Sequence, residues 1–328
     1  MDLAARIYVA GHNGLIGSAL VRRLQAGGYS NLILRSRSEL DLTERQAVRE
    51  FLRKERPEHV FLAAAKVGGI LANASYPADF IGQNLMIQTN VLHESYAIGV
   101  KQLLFLGSSC IYPKHAPQPM KEEYLLTGPL EPTNRPYAMA KIAGIEMCWA
   151  YNRQFGTRFL AAMPTNLFGP GDRYDLHDSH VIPALMRKMH EAKAGGVGES
   201  VIWGSGAPRR EFLYSDDAAD ACVFLMNLPE EKAAGILADE TAPPIVNIGC
   251  GQDLTIRELA GLIAEAVGFE GRLAFDQSKP DGSPRKLLDV SRLEALGWKP
   301  RTTLREGLRR AYEDFSRHAG SLVSKALT

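Results

Sequence analysis

Short apolar runs alternate with longer segments of helical periodicity through the first half of the chain. The runs at residues 6–10, 31–35, 59–63, 102–106 and 157–163 are typical of buried strands. The intervening helical segments are predicted at residues 18–28, 43–55, 77–98 and 137–155. Such alternation predicts a parallel sheet with right-handed crossovers and a ligand crevice at the C-terminal ends of its strands.

The pattern changes after the fifth predicted strand. Residues 164–171 (PTNLFGPG) form a turn-rich junction. Beyond it we predict helices at 179–192, 216–227, 255–267 and 304–315, and strands at 200–203 and 244–248. We therefore predict an α/β protein with a Rossmann-like doubly wound parallel sheet and a smaller C-terminal α/β substrate-binding lobe. The cofactor domain is expected at 1–163, joined by parts of 212–250, and the lobe mainly at 164–328.

Composition narrows the class of protein. The 328 residues are 45% hydrophobic and 23% charged, and the formal net charge is +1, so there is no general attraction to nucleic acid or to a membrane surface. The four cysteines are widely spaced without a CxxC or Cys/His pattern, so we expect a reducing compartment and no metal. No apolar run is long enough to span a membrane, and we expect a soluble, cytoplasmic protein.

Glycines mark two loops of the predicted crevice. The first is a GxxGxxG turn between a strand and a helix, where a backbone free of side chains can approach a pyrophosphate. Its residues are Gly11, His12, Asn13, Gly14, Leu15, Ile16 and Gly17. The second loop, Lys66-Val-Gly-Gly69, follows the third strand. Ordinary glycine turns are the alternative in both places, but the strand and helix around the first favour a dinucleotide site.

The end of the second predicted strand carries two arginines. A site selective for NAD usually places an acidic residue here, whereas a guanidinium suits the 2′-phosphate of NADP. Arg35 and Arg37 therefore indicate NADPH as cofactor, although Glu39 and Asp41 lie close by and surface arginines are common.

A tyrosine and a lysine lie four residues apart in the fourth predicted helical segment. This spacing places Tyr137 and Lys141 one turn apart on one face, where an ammonium can lower the pKa of the phenol towards neutrality. Ser108 follows the fourth strand directly and can hold the oxygen that Tyr137 protonates. An exposed helix pair is the alternative for an isolated YxxxK match, but the dinucleotide signals favour carbonyl reduction.

Motifs along nearly the whole chain resemble the extended short-chain dehydrogenase/reductase family. They are GHNGLIGSA, RSRSELDL, AAAKVGGI, LGSSCIYP, EPTNRPYAMAKIAG, MPTNLFGPGD, DSHVIPAL, WGSGAPRREFLYSDD and KPDGSPRK. The resemblance implies NADPH-dependent conversion of GDP-4-keto-6-deoxy-D-mannose to GDP-L-fucose, by 3,5-epimerisation and then 4-keto reduction. It also implies cofactor contacts from Asp41, Leu42, Ala64, Pro164, Asn166 and Leu167, as well as from Tyr137, Lys141 and His180.

The same resemblance assigns roles around the sugar. Dehydratases of the superfamily carry Thr-Asp-Glu where this chain has Ser108-Ser109-Cys110, and 4-epimerases usually have no thiol at the third position. Cys110 and His180 are implied as the acid and base of epimerisation, with a lowered pKa expected for the thiol. The substrate contacts implied are Lys188, Trp203, Arg210 and Asp281. Without the resemblance, Cys110 and Trp203 are ordinary core residues, His180 begins a helix and the cations are solvated.

Several alternatives stay open at this stage. The nearest is an NADP-dependent epimerase or reductase of another nucleotide-linked keto-sugar, because guanine selectivity rests on resemblance alone. A non-catalytic NADP sensor on the same fold is the other, and the intact Ser108, Tyr137 and Lys141 speak against it. The superfamily commonly dimerises through the Tyr-Lys helix and the preceding long helix, so we expect a homodimer.

Overall fold

A six-stranded parallel sheet forms the centre of the protein in the computed structural model, which describes residues 1–175, 179–279 and 281–325. Its strands are β1 (Ile7–Ala10), β2 (Leu32–Ile33), β3 (His59–Leu62), β4 (Gln102–Leu106), β5 (Phe159–Pro164) and β9 (Ile245–Ile248). The order across the sheet is β2-β1-β3-β4-β5-β9, and every neighbouring pair is parallel. The strands are almost wholly buried, as expected for a sheet covered on both faces.

Helices cover both faces of this sheet. One face packs against α1 (Leu15–Ala26), α7 (Ser215–Met226), α8 (Glu230–Leu237) and α10 (Ser291–Leu296). The other packs against α2 (Arg45–Glu55), α4 (Pro77–Ala97) and α5 (Arg135–Phe155), while the short α3 (Ile70–Ser75) precedes α4. Apolar burial on both faces therefore supplies two hydrophobic layers, and the crossover loops emerge together at one edge.

A second group of elements forms a separate core. It contains β6 (Asn166–Phe168), β7 (Glu199–Trp203), β8 (Arg209–Tyr214), β10 (Asp253–Thr255), β11 (Arg272–Asp276) and β12 (Arg285–Lys286). Strand β8 pairs with β6, β10 and β12, and β7 pairs with β11. Helices α6 (Val181–Ala194), α9 (Ile256–Val267) and α11 (Leu304–Lys325) pack around one cluster of apolar side chains.

The predicted fold class is confirmed, with differences in detail. The return of the chain to the main sheet is observed, because β9 pairs in parallel with β5. The second strand is shorter than predicted, and the helix carrying Tyr137 begins two residues earlier, at Arg135. The sequence patterns missed β6, β8 and β10 to β12. The domain boundary after residue 163 stays a prediction.

No helix within the described ranges of the chain has the length and apolar character needed to cross a membrane.

Candidate active site

The turn from β1 into α1 is built for close backbone approach. Gly11 has φ +86°, which favours glycine, and a Cβ added there would lie 2.7 Å from the backbone nitrogen of Ala64. A Cβ on Gly17 would lie 2.0 Å from the carbonyl oxygen of Gly11. His12 Nδ1 is buried here without a hydrogen-bond partner. The tight turn and the unpaired polar atom fit the pyrophosphate site predicted from the glycine spacing.

The second loop is fixed by a side chain of α4. The Lys66 N–H donates to Asn84 Oδ1 at 2.9 Å, and Asn84 Nδ2 donates back to the Lys66 carbonyl oxygen at 3.0 Å. Asn84 itself is buried, so the loop between β3 and α3 is held from inside the protein. The Lys66 ammonium forms an ion pair with Asp79 at 3.0 Å. The loop thus lies against the glycine turn through Ala64, as the predicted crevice requires.

The two arginines after β2 differ in their surroundings. Arg35 already has partners within the protein. Its guanidinium forms an ion pair with Glu55 at 2.7 Å and lies 5.6 Å from the centre of the Phe51 ring. Arg37 is 75% exposed and only loosely paired with Asp41, at 3.7 Å. The Asp41 carboxylate also accepts hydrogen bonds from Thr43, which lower its pKa. Of the two guanidiniums, that of Arg37 is the freer to bind an added phosphate.

Ser108 lies between the tyrosine and the cysteine at the end of β4. Its Oγ accepts a hydrogen bond from the Cys110 N–H at 3.4 Å, where a 3₁₀ turn at Ser109–Ile111 begins. Against the larger effect of burial, the Ser108 hydroxyl lowers the pKa of the Tyr137 phenol and of the Cys110 thiol. The structure therefore brings this hydroxyl together with the two groups that the motifs assign to proton transfer.

Lys141 lies on the buried side of α5 behind this group. Its ammonium donates to the carbonyl oxygen of Leu106 at 2.7 Å and lies 5.8 Å from the centre of the Tyr137 ring. The Phe105 ring is 4.7 Å away. The predicted one-turn spacing is therefore present, and the cation links α5 to the end of β4.

The pKa values depart from the sequence-based expectation. Desolvation raises the pKa of Tyr137, and the Cys110 charge adds to this effect. Burial also raises the pKa of Cys110, while it lowers the pKa of Lys141 to about 8. The lowered pKa values expected for the phenol and the thiol are thus wrong for this arrangement. For the thiol, enclosure opposes charge formation more strongly than Lys286 and Lys141 favour it, and for the phenol the Cys110 charge adds to the effect of enclosure.

A second lysine beside Cys110 was missed in the sequence. Lys286 and then Lys141 are the charged groups in the described chain that lower the pKa of Cys110 against the effect of burial, and His180 is not among them. The pKa of Lys286 is itself lowered by desolvation. Lys286 ends the KPDGSPRK motif, but nothing in that motif shows that β12 pairs with β8, where Lys286 lies opposite Arg210.

His180 occupies the N-terminal cap position of α6, directly after residues 176–178, which lie outside the described ranges. Desolvation lowers the pKa of its imidazole. It therefore lies at the edge of the second core, on the segment that leads from the turn-rich junction into α6. Its role as a proton donor or as a cofactor contact stays a prediction.

The implied substrate residues gather at the ends of β7 and β8. Trp203 is 62% exposed, so it is not a core residue, and the Lys188 ammonium lies 5.1 Å from its ring centre. Asp281 accepts from the Ser205 N–H at 2.9 Å and from its hydroxyl at 2.6 Å. Asp281 also raises the pKa of Arg210, against a larger lowering by burial. A cation, an exposed aromatic face and a guanidinium suit a nucleoside diphosphate.

The remaining implied cofactor contacts lie in the segments that follow β2 and β5 of the central sheet. Pro164 ends β5, and Asn166 and Leu167 form β6. The Asn166 side-chain amide donates to the Glu211 carbonyl oxygen at 2.8 Å, so this side chain also connects β6 to β8. Leu42 is buried under the loop after β2.

The fold and this site define a dinucleotide-binding α/β protein equipped for proton transfer next to a nucleotide-linked substrate. Residues 7–249 match the family model described as the NAD dependent epimerase/dehydratase family, and the chain belongs to this family. This confirms the resemblance drawn from the motifs.

Three known proteins show how close the relationship is. GDP-L-fucose synthase 1 of Arabidopsis thaliana is 58% identical over 95% of this chain and 93% of its own length. GDP-L-fucose synthase of Escherichia coli (strain K12) is 54% identical over 94% of this chain and 96% of its own. The solved structure of a GDP-mannoheptose C4 reductase from Campylobacter jejuni, with NADP bound, is 42% identical with a TM-score of 0.87, covering 96% of this chain and 99% of the other.

Proposed function

We propose that this protein converts GDP-4-keto-6-deoxy-D-mannose to GDP-L-fucose with NADPH, by epimerisation at C3 and C5 followed by reduction at C4. The observation that carries the proposal is the grouping of Ser108, Cys110, Tyr137 and Lys141 at the end of β4, where Ser108 Oγ accepts from the Cys110 N–H and the Lys141 ammonium lies 5.8 Å from the centre of the Tyr137 ring. The identity with proteins named GDP-L-fucose synthase supports the choice of sugar.

The first stage is proton transfer at carbons next to a ketone. Hydrogens on C3 and C5 flank the C4 carbonyl, so removal of either leaves an enolate whose charge rests on the C4 oxygen. Cys110 removes the proton and His180 returns one to the opposite face. Because burial raises the pKa of the thiol, the ammonium groups of Lys286 and Lys141 are needed to stabilise the thiolate.

The second stage uses the hydroxyls at the end of β4. NADPH, when bound, supplies the hydride to C4. Tyr137 donates its proton to the C4 oxygen, and Ser108 holds that oxygen by a hydrogen bond. The raised pKa of Tyr137 keeps the phenol protonated, which is the state required of a donor. Lys141 joins the helix that carries Tyr137 to the end of β4. Its ammonium also supplies positive charge as the C4 oxygen gains electrons.

The cofactor is proposed to lie along the glycine turn. Gly11 and Gly17 leave room for the pyrophosphate, His12 Nδ1 has no hydrogen-bond partner among the described residues, and Arg37, which is only loosely paired with Asp41, can bind the 2′-phosphate. The NADP bound to the similar GDP-mannoheptose C4 reductase supports NADPH over NADH.

The chain is further proposed to act as a cytoplasmic homodimer. Helices α4 and α5 pack side by side and leave Met86, Met139 and Phe155 more than 40% exposed on their outer surface. Exposed apolar side chains on two adjacent helices are typical of an interface between subunits. Light scattering of the purified protein gives the stoichiometry directly, and a monomeric mass would contradict this proposal.

A second candidate function is reduction of another GDP-linked keto-sugar, favoured by the similarity to the GDP-mannoheptose C4 reductase. Inhibition by free nucleotides tests which base the protein recognises, independently of the sugar. GDP should inhibit more strongly than UDP or dTDP, and Arg210→Ala should weaken GDP binding at least about tenfold, since a charge-assisted hydrogen bond is lost. Equal losses of GDP and NADPH binding in that variant would argue against Arg210 as a substrate contact.

A further inference from the structure

Glu211 is a buried carboxylate in the middle of β8. Its side chain is fully enclosed, and its two oxygens accept three backbone N–H groups. Oε1 accepts from Cys250 at 2.7 Å and from Gly251 at 2.8 Å, and Oε2 accepts from Leu288 at 3.0 Å. No lysine or arginine in the described ranges forms an ion pair with this carboxylate. The three backbone donors therefore offset much of the cost of burying it.

These three donors belong to two segments that are distant in sequence. Cys250 and Gly251 directly follow β9, the last strand of the central sheet. Leu288 lies two residues after Lys286, on the chain leaving β12. Strand β12 pairs with β8 in a register that sets Lys286 beside Arg210. The carboxylate thus joins the cofactor-binding sheet to the short strand that carries Lys286.

We propose that Glu211 is a positioning residue that fixes the main chain carrying Lys286 and so keeps this cation near Cys110. Two hydrogen bonds anchor the carboxylate to the end of β9, and the third fixes the main chain next to Lys286. The side-chain amide of a Glu211→Gln variant has the same shape as the carboxylate but only one acceptor oxygen. Its NH₂ group would therefore face the Leu288 N–H. The consequence for turnover rests on the proposed function, whereas the hydrogen bonds of Glu211 to the two segments do not.

The charged and titratable groups facing Cys110 are Lys286, Lys141 and Tyr137. Lys141 is held separately, by the Leu106 carbonyl oxygen on β4. A change at Glu211 should therefore move Lys286 without moving Lys141. The pKa of Cys110 should then rise, because it loses the larger of its two cationic influences.

The test compares Glu211→Gln with Gly249→Ala and a control, Glu94→Gln. A Cβ on Gly249 would lie 2.3 Å from Glu211 Oε1, so this second variant displaces the carboxylate without removing it. Glu94 is equally buried, but on α4 beside Arg45 and Arg49. The readout is the pH dependence of iodoacetamide labelling of Cys110, followed by peptide mass spectrometry without substrate.

We expect Glu211→Gln and Gly249→Ala to move the labelling curve to higher pH. At a pH below the pKa of Cys110, labelling should be about tenfold slower for each unit by which that pKa rises. Glu94→Gln should leave the curve in place. The exchange of the C3 and C5 hydrogens with solvent deuterium should slow about tenfold for each unit of pKa in the first two variants, while the Kd for NADPH stays unchanged. A merely structural role would lower all three melting temperatures and move no labelling curve.

An unshifted Cys110 curve in both test variants, or an equal shift in Glu94→Gln, overturns the proposal. If Glu211→Gln does not fold, Gly249→Ala decides the question alone. Absence of turnover in the wild type would refute the proposed function, and the labelling experiment would still decide the role of Glu211.

Discussion

Lys141 donates a hydrogen bond to the carbonyl oxygen of Leu106 at 2.7 Å, two residues before Ser108. This bond joins the helix that carries Tyr137 to the strand that delivers Ser108. Because the ammonium is buried, its pKa is lowered to about 8, and it loses its charge at a pH where an ordinary lysine is still protonated.

The first prediction concerns this charge. The rate of C4 reduction should fall as the pH rises through about 8, since the neutral amine no longer stabilises the developing oxyanion. Lys141→Arg should remove that alkaline decline because a guanidinium stays protonated, whereas Lys141→Met should lower kcat by about a hundredfold or more at neutral pH. The measurement is NADPH oxidation across the pH range, with Lys299→Met, an exposed lysine, as control. A wild-type rate that keeps rising above this pKa would contradict the role.

The second prediction separates the two stages of the reaction. Cys110→Ser should slow exchange of the C3 and C5 hydrogens with solvent deuterium by about a hundredfold or more, because a hydroxyl is a far weaker base than a thiolate. Tyr137→Phe should retain exchange and lose reduction. Both substitutions are nearly isosteric, so each serves as the control for the other. Unchanged exchange in Cys110→Ser would show that another group is the base.

The third prediction ranks the two arginines after β2. Arg37→Ala should lower the preference for NADPH over NADH by roughly tenfold to a hundredfold, because an exposed guanidinium that binds the 2′-phosphate is lost. Arg35→Ala should lower it less, because Arg35 is already paired with Glu55. The measurement is the ratio of kcat/KM for the two cofactors. A larger loss in Arg35→Ala would reverse the assignment.

The fourth prediction concerns the glycine turn. Gly17→Ala should abolish tight NADPH binding and lower the melting temperature, because its Cβ would meet the Gly11 carbonyl oxygen at 2.0 Å. The control is Gly261→Ala in α9, where nothing lies within 4 Å of the added carbon. That control should gain up to about 1 kcal/mol of stability from helix propensity. NADPH fluorescence and thermal unfolding together distinguish the two outcomes, and wild-type NADPH affinity in Gly17→Ala would exclude this close approach.

Local sequence patterns were sufficient for the elements that carry the cofactor site. Strand β4 and helix α5 are continuous in their apolar periodicity, so Ser108, Tyr137 and Lys141 could be placed before the structure was known. Strand β8 was missed because it begins with two arginines and contains Glu211, a charged residue that backbone donors keep fully buried. Such partners come from distant segments and leave no local signal.

The pKa directions were unpredictable for a related reason. The sequence shows that Lys141 lies one turn from Tyr137, but not how completely the two groups are withdrawn from water. Desolvation depends on how β4, α5 and β12 enclose the thiol and the phenol. For the thiol it outweighs the nearby cations, and for the phenol the Cys110 charge adds to it. Lys286 was missed for the same cause, since only the pairing of β12 with β8 sets it near Cys110.

The most direct test of the proposed reaction is incubation of the purified protein with NADPH and GDP-4-keto-6-deoxy-D-mannose, with the product's C3, C4 and C5 configurations assigned by NMR. We expect stoichiometric NADPH oxidation and GDP-L-fucose, inverted at C3 and C5 and reduced at C4. Reduction without inversion would contradict the roles of Cys110 and His180, and the absence of turnover would contradict the proposed substrate.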